Sequence, residues 1–114
     1  GPAAMQQSPA APVVEELNGQ SVKLPGYIVP LDVTDEGRVT EFLLVPYFGA
    51  CIHVPPPPSN QIVHVKSEVG VKLDELYQPN WIEGAMQVKP STSELADAGY
   101  QMDAEKIYIY ELPE

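Results

Sequence analysis

Thirteen prolines in 114 residues, four of them consecutive at Pro55–Pro58, constrain this chain more than any other feature. Proline fixes φ and lacks the amide proton that helix interiors and central strands need. An all-helical fold is therefore disfavoured, and a strand that contains proline is pushed to a sheet edge or a bulge. With 44% hydrophobic and 19% charged residues the chain is apolar enough to form one core, and it has no room for a second domain.

The pattern between the prolines reads as short strands. Ser21–Leu31 alternates loosely, with Pro25 and Pro30 forcing an edge position or a bulge. Val39–Phe48 is a nearly continuous apolar run, as in a strand covered on both sides until Pro46. Gln61–Lys66, Trp81–Val88 (with a bulge at Gly84) and Lys106–Leu112 follow as further strands. Val13–Gly19 is at most two turns, and Lys72–Tyr77 holds one helical turn before Pro79. Ser91–Ala98 fits a short helix, with Ser91 and Glu94 as a capping box and Gly99 as its stop. Five to six short strands with one or two short helices predict a mainly β fold, a small OB-like or SH3-like barrel that hides its own edges. Gly1-Pro2 reads as a protease scar, and residues 1–12 as a disordered, low-complexity lead-in left where a leader was removed; the barrel domain is 13–114.

Charge narrows the partners. Six Lys and Arg against sixteen Asp and Glu give 6 − 16 = −10, a field that repels nucleic acid and anionic membrane surfaces. No stretch of about 18 apolar residues occurs, so no transmembrane segment is expected. A single cysteine forms no internal disulfide.

The single cysteine and both histidines fall within Val45–Val65. If Ala50–Val54 is extended, Cys51 and His53 project from the same face within reach of one ion. His64 joins them if its strand pairs antiparallel with Ala50–Val54 in the matching register. That predicts a metal site of Cys51, His53 and His64 holding zinc weakly. Pro55–Pro58 predicts a stiff polyproline II rod with solvent-open carbonyls, and Ser59, Asn60 and Gln61 at its end complete a partner-binding loop. The same residues leave two other readings open: an interaction module with no metal, and a thiol enzyme in which a histidine activates Cys51. The carboxylates are scattered through turns, and the tyrosines read as packing.

The string from Glu41 to Gln61, which contains Cys-Ile-His-Val-Pro-Pro-Pro-Pro-Ser-Asn-Gln, resembles a bacterial family of exported proteins and lipoproteins of unknown function. Gly26–Leu31 before it and Trp81–Gly84 after it extend the likeness, which covers roughly Lys23 to Tyr110. The resemblance implies a small periplasmic β-barrel with no established enzymatic activity. In some bacteria it implies a gene beside an ABC-type importer and a periplasmic zinc-binding protein. It carries over Cys51, His53, Asn60 and Gln61 directly. The expectation is a non-enzymatic periplasmic accessory protein of a divalent-metal (zinc) uptake system, one that binds metal weakly or docks a transport partner through the proline loop.

Overall fold

The computed structural model describes residues 7, 8 and 11–111. Where the prolines allow it, the chain forms strands β1 (Ser21–Val33), β2 (Arg38–Val45), β3 (Val63–Lys72), β4 (Asn80–Gln87), β5 (Ser91–Thr92), β6 (Asp97–Ala98) and β7 (Tyr100–Ile109). Five of them close a barrel in the order β1-β2-β3-β7-β4, with β4 returning to β1. All neighbours are antiparallel except β3 and β7. This is a small, mainly β barrel as expected from the sequence, and among the described residues the helical content is limited to 3-10 turns at Glu15–Leu17, Ser59–Gln61 and Leu73–Glu75.

Pro30 acts where its chemistry says it must. It stands opposite Phe42, and the β1–β2 register slips immediately after it, so the missing donor falls at an irregularity in the ladder. The continuous apolar run of β2 is buried on both faces. Phe42 and Leu44 point into the barrel with Ile28, Val65, Ile82 and Met102. Leu43 and Val45 face outward into a second cluster with Val29, Ala50, Cys51, Ile62, Ala96 and Ala98. The second cluster exists because the two long connections, between β2 and β3 and between β4 and β7, fold back over the outer wall of the barrel.

One expected element is absent. Residues 91–98 form the short β5–β6 ladder, Ser91 opposite Ala98, in place of a helix. The Ser93 hydroxyl decides this: it accepts the amides of Leu95 and Ala96 and donates to the Ala96 carbonyl, a serine-stabilised turn that competes with helical bonding. Ser91 cannot cap a helix because its hydroxyl is engaged by His64. Of the expected unpacked lead-in, residues 1–6, 9 and 10 lie outside the described residues. Gln7 instead spans to the proline segment and β6: its side-chain amide donates to the carbonyls of Pro57 and Asp97, at 3.0 and 2.8 Å, and its oxygen accepts the Asp97 amide.

Candidate functional site

Between β2 and β3 the chain first makes a tight knot. Gly49 takes a positive φ of 84°, which glycine adopts without penalty. Its carbonyl then gathers the amides of Ile52, His53 and Val54 at 2.9 to 3.3 Å, while the Cys51 amide donates to Val54. Ala50–Val54 is thus a turn, touching itself only at an Ala50–Val54 bridge, and the extended conformation assumed from the sequence does not form. Cys51 sits in the left-handed region at φ 69° and is 2% exposed, plugged into the outer cluster. His53 is exposed.

The three expected metal ligands are consequently separated. Cys51 points inward and His53 outward, so the same-face pair is not made. His64 lies on β3, which pairs with β2 and β7 and not with Ala50–Val54; its direct neighbours are Leu43 and Gln101. Among the described residues no group of three or more His, Cys, Asp or Glu side chains is arranged to hold a metal ion. Burial pushes the Cys51 thiol above its ordinary range. A protonated, enclosed thiol is a poor zinc ligand and a poor nucleophile, so the thiol-enzyme reading loses its activated group.

His64 has other work. Its Nε2 meets Glu41 Oε2 at 2.5 Å, and its Nδ1 meets the Ser91 hydroxyl. Glu41 comes from β2, His64 from β3 and Ser91 from β5, so the imidazole ties the β4–β7 connection to the outer wall of the barrel. His64→Ala strands a carboxylate and a hydroxyl at once and is expected to cost about 1–3 kcal/mol. Urea unfolding measures it, and Ser91→Ala, which removes a single partner, should cost less.

The proline segment is not the free arm expected. Pro56 and Pro57 are buried, as is Ser59. Its carbonyls are used within the chain: Pro55 accepts the Tyr47 hydroxyl at 3.0 Å, Pro57 accepts Gln7, and Pro58 accepts the Gln61 amide at 2.9 Å. The Ser59 carbonyl takes the Gly99 amide, and the Asn60 side chain donates to Pro12. The rod is a strut that holds the knot in front of it. Of the expected contact residues, Pro55 and Gln61 remain well exposed.

What the strut presents is apolar. Tyr47, Phe48, Ile52 and Val54 surround the knot and are 40 to 57% exposed. The Phe48 ring makes an edge-to-face contact with Tyr27 at 5.8 Å, which fixes the root of the tip to β1. From Phe42 to Val65 the chain carries no Asp, Glu, Lys or Arg, so the segment that builds this tip brings no formal charge of its own to a strongly acidic molecule. Sequence reasoning weighs the thiol and imidazoles of this segment, reads Tyr47 as packing and gives Phe48, Ile52 and Val54 no role. The uncharged run between Glu41 and Lys66 was the signal that marks them.

Comparison with known proteins agrees with this architecture. Residues 1–109 match the family model described as a protein of unknown function, DUF3299. The chain belongs to the DUF3299 family. The crystal structure of a DUF3299 family protein from Pseudomonas aeruginosa PAO1 is 65% identical, with a TM-score of 0.94 over 100% of this chain and 76% of that one. The match to this DUF3299 member extends over the knot, the strut and the barrel together. No curated protein matches. No helix among the described residues is long and apolar enough to cross a membrane.

Proposed function

We propose that the chain is a non-enzymatic docking domain whose contact point is the tip formed by Tyr47, Phe48, Ile52 and Val54. One observation carries the reading: four large apolar side chains stand exposed on a prefixed turn in the middle of a segment with no formal charge. Protein interfaces have this composition at their centres, aromatic and depleted of charge, and a single-domain surface rarely leaves such a patch without a use. The knot is held by its own backbone bonds and by the strut, so docking costs little ordering entropy.

The partner is a protein cleft that is apolar inside and basic at its rim, since a surface of net charge −10 is drawn to positive potential. The family resemblance supplies a class: a periplasmic component of a divalent-metal importer. In this reading the partner carries the zinc, and the chain is periplasmic.

Titration calorimetry of the full chain against the purified periplasmic zinc-binding component of such an importer tests it. Wild type should bind, and Phe48→Asp with Ile52→Asp should weaken binding at least tenfold, as expected for anchors at the centre of a contact. Both side chains are exposed, so the only packing given up is the Phe48–Tyr27 contact, and the variant should stay folded with a melting temperature lower by a few degrees. Equal affinity in the double variant, or no binding by wild type, overturns the reading.

A further inference from the structure

The barrel closes through only a short ladder along one seam. β3 and β7 run parallel from Val63 opposite Tyr100 to Lys66 opposite Asp103, and no further. Beyond that point β3 bows away: four residues, Ser67 to Gly70, stand against Thr40 alone, because pairing passes from Glu41–Lys66 to Val39–Val71. β7 does not follow. It continues beside β4 to Ile109, with Glu105 as the extra residue of a bulge. The result is an open groove of about 1040 Å³ between the two strands. Along its β7 side, Ala104–Ile109 has β4 on one edge and, among the described residues, no strand on the other.

A strand edge without a neighbour is a row of unpaired amides and carbonyls ready to accept another chain, and adding a strand is a common way to recognise an extended peptide. Six residues of edge at roughly 3.3 Å each match a peptide strand of about 20 Å. The groove also selects by charge. Glu68, Asp103 and Glu105 line it against Lys66 and Lys106, and among the described residues the sole ion pair joins Glu41 to His64. Glu41 also lines the groove and is held by His64, whereas Glu68, Asp103 and Glu105 have no ion-pair partner among the described residues. A second copy of the chain is a poor occupant, because it brings another −10.

The geometry points to a second binding site, distinct from the apolar tip: the β3–β7 seam takes one extended, lysine- or arginine-bearing peptide segment of a partner protein as an added strand on Ala104–Ile109. Cationic side chains on one face of the peptide meet Glu68 and Glu105, while its backbone completes the β7 edge.

The probe is a fluorescein-labelled eight-residue peptide of alternating Lys and Val, followed by fluorescence anisotropy with the full chain. It should bind, and the Glu–Val counterpart should not. Glu68→Lys with Glu105→Lys, both exposed, should weaken binding at least tenfold without lowering the melting temperature. N-methylation of alternate peptide residues should abolish binding in one phase and spare it in the other, because only one edge of the peptide faces β7. Amide shifts should map to Ala104–Ile109. Phe48→Asp with Ile52→Asp should leave this binding unchanged, which separates it from docking at the tip. No binding of the Lys–Val peptide, equal binding by both N-methylated phases, or indifference to the charge reversal overturns the proposal. So does self-association of the chain that the peptide does not compete away.

Discussion

Gly84→Val should be the least tolerated single substitution in the barrel, costing more than about 3 kcal/mol. Gly84 is buried on the inward-facing side of β4, at the point where the β4–β7 register slips. A Cβ there would meet the Asp103 carbonyl oxygen closer than real Cβ atoms approach, with Met102 Cγ at 3.0 Å and Sδ at 3.1 Å behind it. The methionine can turn aside, but the carbonyl belongs to the ladder and cannot. Even alanine requires the bulge to open, and valine adds two methyl groups in the same place. A domain of this size has about 5–15 kcal/mol of stability in all, so the variant should unfold at markedly lower urea. Gly84→Ala should fall between it and wild type. A Gly84→Val protein within 1 kcal/mol of wild type would mean that β4 and β7 are not paired in this register.

The Gly84 bulge was legible because glycine inside a strand pattern has few other uses. The doubly covered β2 was legible for a similar reason: an unbroken apolar run must be covered on both faces. Pro30 announced its own irregularity. What could not be read was anything depending on distant segments meeting. Ser91 with Glu94 has the spacing of a capping box, but His64 claims the Ser91 hydroxyl, and no local pattern reveals a competitor on another strand. The Cys51–His53 pair failed for a different reason. Two residues apart means one face only if the backbone is extended, and Gly49 was the warning that it is not. The proline rod was recognised as stiff, but stiffness says nothing about exposure. Whether its carbonyls meet solvent or Tyr47, Gln7 and Gln61 is settled by the fold.

That distinction makes Cys51 the residue through which fold and function can be tested together. It is a buried side chain on a backbone that side chains avoid, at φ 69°, a conformation costing a residue with a Cβ roughly 1–2 kcal/mol. If packing alone sets its worth, Cys51→Val, apolar and similar in bulk, should be nearly neutral, and Cys51→Gly should be the damaging change. If the backbone sets it, the order reverses. A β-branched side chain is a true outlier at positive φ, so Cys51→Val should cost about 2–3 kcal/mol in all. Cys51→Gly gains back the strain and gives up sulfur burial of about the same size, ending near wild type. We expect the second order. The knot at Gly49 requires Cys51 to turn back, and the amide it directs at Val54 closes the tip. The valine variant should also lose docking at Phe48 and Ile52 beyond what its stability explains, because the displaced turn no longer presents them together. Denaturation and calorimetry on the two variants decide it: a stable Cys51→Val protein that docks like wild type, beside a crippled Cys51→Gly, would make the buried thiol a packing residue and nothing more.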